Sequence, residues 1–318
     1  MWLLLFACTG PKEDDTPPSA RDYGDVLSES LVGTLSDLVG DADRAFLCGT
    51  DSGVRVFDTA DPYNPTLYQS YYADEPCYTA GILSNRVLIG SSEAFRTFSP
   101  NNMLVRGEHY TPFAVEALDI SPGDDVAWLA GTDSEGQVWL EEVAYREDAA
   151  MTSRGLVPID VARPVALAAR PDGLLLLDAD GVLHTLGLDL EVVGSWSPAG
   201  AVSRLFMAVG ETDHAYISLG TGGLAIVDVS DLSAPVLAGS WPDGGGETHD
   251  LLLVGATMYV GRPGAVRVLD VSDPTVPAEI GAEDIALSGT PTHIWVDNRY
   301  AYLADADSGI LSIVSVEE

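Results

Sequence analysis

The sequence predicts an all-β fold, a seven-bladed β-propeller of four-stranded antiparallel blades, and two observations carry that prediction. An apolar strand behind a turn residue recurs along the whole chain, and each copy is flanked by short alternating segments bounded by Gly, Pro, Asp and Ser. The copies are plainest near the end: Gly223-Leu224-Ala225-Ile226-Val227-Asp228-Val229-Ser230-Asp231, then Gly264-Ala265-Val266-Arg267-Val268-Leu269-Asp270-Val271-Ser272-Asp273-Pro274, then Gly309-Ile310-Leu311-Ser312-Ile313-Val314. Followed backward, the markers fall at Gly53, Ala94, Gly136, Gly181, Gly223, Gly264 and Gly309, 41 to 45 residues apart. That period is the length of a four-stranded propeller blade.

Within a unit, alternation and β-branched or aromatic content mark the strands. Around Gly264, residues 250–254 read as an inner strand, 257–260 as the second, 266–270 as the third and 277–281 as a short outer fourth. Gly255, Pro263-Gly264 and Ser272-Asp273-Pro274 supply the turns between them. The last unit runs out after its third strand, which leaves a sheet edge open to association. Residues 25–33 match the outer-strand pattern of Val236-Leu237-Ala238-Gly239-Ser240, so residues 26–32 are expected to pair with 310–314 and close the ring. A β-solenoid is the competing architecture, but its repeats are normally shorter and it needs no exchange of terminal strands.

The segments Ala225-Ile226-Val227-Asp228-Val229-Ser230-Asp231 with Pro235, and Val268-Leu269-Asp270-Val271-Ser272-Asp273-Pro274 with Pro277, resemble LVIVD repeats of predicted bacterial surface β-propellers. Phe57-Asp58-Thr59-Ala60-Asp61-Pro62 with Pro65 is a degenerate third copy, and the units at Phe95, Val138 and Val182 lack the Asp-x-Ser-Asp-Pro turn. The resemblance implies a propeller in an extracytoplasmic setting. It implies no activity.

The N-terminal run Met1-Trp2-Leu3-Leu4-Leu5-Phe6-Ala7-Cys8 resembles a bacterial lipoprotein signal, which implies a signal segment over 1–7 and a lipid anchor at Cys8. A cytosolic chain with a chance apolar start is the alternative. Residues 8–24 are acidic and carry Pro11, Pro17 and Pro18, the composition of a flexible tether, and 25–318 form the single propeller domain.

Three groups of residues are candidates for chemistry. Cys48 and Cys77 remain as an even pair once Cys8 is set aside, and either an oxidised bridge or two buried thiols would suit them. Asp58, Asp228 and Asp270 end third strands, where a carboxylate structures the turn by accepting backbone N–H groups; calcium coordination is the sharper alternative. His249 and Asp250 precede one inner strand and His293 the next, near-equivalent places that would share a ligand or metal if both face the channel mouth. A loop histidine that merely caps a turn explains them as well. No Gly-x-Ser-x-Gly elbow, His-Glu-x-x-His pair, Gly-Lys-Ser/Thr loop or Cys-x-x-Cys pair is present in the sequence.

Forty-nine acidic against fifteen basic residues leave a net charge of −34, with Lys12 the only lysine. Such a field repels phosphate backbones, which argues against nucleic acid, and confines membrane contact to the lipid. The expected function is a lipid-anchored, monomeric, non-catalytic binding or scaffold module on the bacterial cell envelope, at the outer membrane or cell surface. Its partner would be an envelope protein or glycan, and it needs no cofactor, with calcium the one candidate. The alternatives are an envelope hydrolase or lactonase working in the channel, and a calcium-dependent adhesion protein.

Overall fold

In the computed structural model, seven four-stranded antiparallel sheets form the blades of a propeller. The structure describes residues 22–31, 35–41, 43–83, 86–100, 102, 104–121, 126–146, 149–200, 202, 206–209, 213–242, 247–284, 292–296 and 300–317. Each blade is numbered from the chain start and runs from an inner to an outer strand. Blade 1 spans Asp37–Asp41 to Thr66–Tyr71 and blade 2 spans Cys77–Leu83 to Val105–Tyr110. Blade 3 spans Ala114–Ser121 to Ala149–Ile159, and blade 4 Pro164–Arg170 to Val192–Trp196. Blade 5 spans Phe206–Val209 to Val236–Trp241, and blade 6 Leu251–Val254 to Ala278–Asp284.

Blade 7 closes the ring with both ends of the chain. Its inner three strands are His293–Val296, Tyr300–Asp305 and Ile310–Glu317, and its outer strand is Asp22–Leu31. Val26 pairs with Val314 and Leu31 with Ile310, the exchange expected from the sequence; Val32 lies outside the described residues. The strand starts at Asp22, opposite Glu317, and so reaches three residues further back than the boundary drawn at 25. Register shifts around Val26 absorb the extra length. Residues 1–7 and Cys8 also lie outside the described residues.

The core is not one cluster but seven, each filling the seam between neighbouring blades. Tyr259, Val266 and Val268 of blade 6 pack on Ile294, Leu303 and Val314 of blade 7, and Leu38, Leu47 and Phe57 of blade 1 pack on Tyr302 and Leu311 of blade 7. A middle strand is therefore covered on both faces and reads as an unbroken apolar run. Gly173–Asp178, with Leu174 through Leu177, is buried at every position. Outer strands face solvent, as the exposure of Thr66–Tyr71 shows.

A bulge recurs between the third and fourth strands, at Val56/Phe57, Thr97/Phe98, Glu142/Val143, Thr185/Leu186, Ile226/Val227 and Val268/Leu269. The extra residue bends the outer strand and raises its twist. Just past it, Gly194 and Gly239 pair with Thr185 and Ile226. The turn of the following blade lies on each of these glycines. A methyl group on Gly194 would overlap the Leu232 carbonyl, and one on Gly239 the Pro274 carbonyl.

Candidate functional site

The inner strands end around a central cavity of 660 Å³ to which every blade contributes a lining residue. Blades 1, 6 and 7 supply Asp37, Asp250 and His293. Pro164, Val165, Ala166 and Leu167 of blade 4 and Met207 of blade 5 line it with apolar surface, while blade 2 adds Tyr78 and Thr79. In blade 3, Glu116 accepts a hydrogen bond from Thr132 at 2.8 Å and pairs with Arg163 at 3.5 Å.

Asp37 and Asp250 hold the same place in their blades, each heading an inner strand and followed by leucine. Oδ1 of Asp250 accepts the Leu251 N–H and Oδ2 the Ile294 N–H of blade 7, both at 2.7 Å. Oδ1 of Asp37 accepts the Leu38 N–H at 2.8 Å, and Oδ2 accepts the Ala80 N–H of blade 2 at 2.8 Å and the Thr79 hydroxyl at 3.3 Å. Each carboxylate thus clips its own strand to that of the next blade and leaves its partial exposure on the cavity. Burial pushes Asp37 up to about 6 against the backbone N–H bonds that favour its charge. Burial pushes Asp250 further, to about 8, with the Asp37 charge adding to it.

The sequence grouping of His249, Asp250 and His293 is split by the fold. Asp250 and His293 line the cavity, whereas His249, next to Asp250 in the chain, is not among its lining residues; its N–H lies on the Gly261 carbonyl at 2.8 Å and its Nε2 3.9 Å from Glu247. Asp37 joins the site in its stead. The shared Asp-Leu start of residues 37–38 and 250–251 was the signal for it. Among the described residues, no group of three or more His, Cys, Asp or Glu side chains is placed to hold a metal ion.

A third aspartate, Asp119 of blade 3, accepts the Ala169 N–H of blade 4 at 2.7 Å, and burial pushes it up to about 6. Blades 1 and 2 are joined covalently: Cys48 and Cys77 form a disulfide across their seam, with Cα atoms 5.1 Å apart. His109 of blade 2 meets Glu141 of blade 3 at 2.9 Å, an inter-blade pair that no local spacing in the sequence announces.

The aspartates at the ends of third strands turn their carboxylates onto the chain. Asp58, Asp228 and Asp270 accept the N–H groups of Ala60, Ser230 and Ser272 at 3.1, 2.9 and 2.8 Å. A second aspartate three residues on repeats the device, Asp231 holding Ser233 and Asp273 holding Thr275 through both N–H and hydroxyl. The side-chain and backbone bonds from Ser230 hold Asp228 below the usual carboxylate range, and the Ser272 bonds do the same for Asp270. The residue after each strand, Thr59, Val229 or Val271, is buried and donates its N–H to Asp43, Asp213 or Ala256 in the preceding hairpin.

These turns are where the chain meets a known repeat. LVIVD repeats match residues 210–243, 245–285 and 288–316. They cover the second to fourth strands of blade 5, all of blade 6 and the chain's last three strands. Among solved structures, the chain is similar to the Pan2 WD40 domain of Neurospora crassa, with 11% identity and a TM-score of 0.73 over 93% of this chain and 96% of that one. It is also similar to the β-propeller domain of Myceliophteria thermophila Cps50 (Swd1), with 12% identity and a TM-score of 0.68 over 92% of this chain and 99% of that one. At such identity the likeness is one of fold alone. No curated protein sequence matches the chain.

Proposed function

We propose that this propeller is a non-catalytic binding module that takes its ligand in the central cavity and is displayed outside the cytoplasm by a lipid on Cys8. The observation that carries the binding reading is the cavity itself. Its 660 Å³ lies in the range that accommodates a small organic ligand, and seven rigid sheets hold its walls. Three of its polar groups are held by backbone: Asp37 and Asp250 accept amides of neighbouring blades, and the Ser36 hydroxyl donates to the Cys77 carbonyl at 2.6 Å. Groups fixed in this way are preorganised to hold a ligand.

The Cys48–Cys77 disulfide supports the extracytoplasmic setting, because such bonds persist in oxidising compartments and are rare where thiols are kept reduced. The apolar run ending at Cys8 supplies the export and anchoring route. Growth with a palmitate analogue tests it: the wild-type chain takes up label and Cys8→Ser does not. Equal labelling of the two removes the anchor from the reading.

A further inference from the structure

We infer that the central cavity selects a small organic cation with an apolar body, its ammonium or guanidinium group seated between Asp37 and Asp250 and its body against blades 4 and 5. This rests on the cavity being the binding site, and it adds the chemical class. Three observations lead to it.

The cavity is two-sided. Blades 1, 6 and 7 form an arc that presents Asp37, Asp250 and His293, while Pro164 through Leu167 of blade 4 present apolar surface from across the ring and Met207 extends it on blade 5, beside blade 6. A purely polar ligand leaves the second wall wet, and a purely apolar one strands the two carboxylates. An amphipathic ligand satisfies both walls.

Among the described lining residues, Asp37 and Asp250 are held by uncharged groups. Glu116 has Arg163 at 3.5 Å, so the blade 3 and 4 wall carries its own counter-charge. Asp37 and Asp250 are bonded to backbone N–H groups and a hydroxyl, and the Asp37 charge adds to the raised protonation of Asp250. An incoming cation supplies what that wall lacks, in a setting where a charge pair is screened less than at the surface.

The cavity is also too large for a bare ion. A single metal would leave most of 660 Å³ unfilled, and the described residues offer no group of three ligating side chains for one.

Protonation follows from the same geometry. At neutral pH Asp250, raised to about 8, keeps its proton, and Asp37, raised to about 6, is ionised. A cation between them favours both carboxylates, so the Asp250 proton is released to solvent as the ligand enters. The other titratable groups around this wall are His293 of blade 7, Tyr78 of blade 2, the Glu116–Arg163 pair, and Glu247 and His249 beside Asp250 in the chain.

The test is calorimetric titration of the full chain at pH 7 with three probes of one shape, 4-phenylbutylamine, 4-phenylbutanol and 4-phenylbutyrate, in two buffers of different ionisation enthalpy. The amine is expected to bind at least about tenfold more tightly than the alcohol, to release a proton on binding, and to lose that preference in Asp37→Asn/Asp250→Asn. Val165→Trp, and the milder Ala166→Leu, should weaken every probe by filling the apolar side. If the alcohol or the acid binds as well as the amine and the filling variants still block it, the cavity stands as the site and the cationic class is overturned. If no probe binds, or the filling variants change nothing, the cavity reading falls with it.

Discussion

The carboxylate of Asp250 accepts the Ile294 amide at 2.7 Å across the seam between blades 6 and 7, so a single side chain is both a wall of the cavity and a clip of the ring. Asp37 repeats this with Ala80 between blades 1 and 2.

Because the clip is a carboxylate with a raised folded pKa, its contribution to stability has a definite sign. Unfolded, Asp250 ionises near 3.8; folded, at about 8. Its stabilising contribution is fully present below about 3.8 and is lost as pH rises through about 8, with Asp37 and Asp119 following the same course toward about 6. The turn aspartates Asp228, Asp231, Asp270 and Asp273 act oppositely, since their lowered values give stability that is lost as pH falls below the usual carboxylate range. The melting temperature should therefore peak on the acid side of neutrality. Asp250→Asn, which leaves one backbone N–H without its acceptor, should cost about 1–3 kcal/mol at pH 6. That gap should shrink by pH 9, where the wild type must bury a charge; urea titrations at the two pH values measure both.

The seam between blades 1 and 2 depends on Cys48 and Cys77, whose bridge spans 29 residues of sequence. Closing a loop of that length restricts the unfolded chain by about 3–4 kcal/mol. Cys48→Ser/Cys77→Ser should lose an amount of that order in urea unfolding, and reduction of the wild type should reproduce it.

The outer-strand glycines make the repeat turn readable as a packing device. Gly239→Ala sets a methyl on the Pro274 carbonyl and should destabilise by about 1–3 kcal/mol. Gly155→Ala meets nothing within 4 Å and should stay within about 0.5 kcal/mol of the parent.

Much of this fold was legible because each blade repeats one local grammar. The positive-φ glycines at 53, 136, 181, 223, 264 and 309 punctuate the second hairpin of six blades, and the apolar run that follows each is buried by neighbours on both sides. The open edge at Ile310–Glu317 was visible as a missing strand, and its partner as a matching pattern at the other end. The site was only half legible. Asp250 and His293 stood out by their place before inner strands, but Asp37 is more than two hundred residues away and meets them only when the ring closes. His109 and Glu141 were hidden for the same reason, since their contact lies between blades and not within a repeat.

Ring closure makes its own prediction. Removing residues 22–31 strips the outer strand from blade 7 and bares the backbone of Ile310–Glu317. The shortened chain should unfold without a single cooperative transition and associate on storage, which calorimetry and size-exclusion chromatography would show. A sharp transition matching that of the parent would mean that the strand is not a clasp.

The most direct test of the central claim is a carbon-13 carboxyl titration of the intact protein, with Asp37→Asn and Asp250→Asn used to assign the two resonances. The account predicts apparent values of about 6 and about 8 for the pair, and a downward shift of both when 4-phenylbutylamine is added. Two carboxyls that titrate near 3.8 and ignore the amine would contradict it.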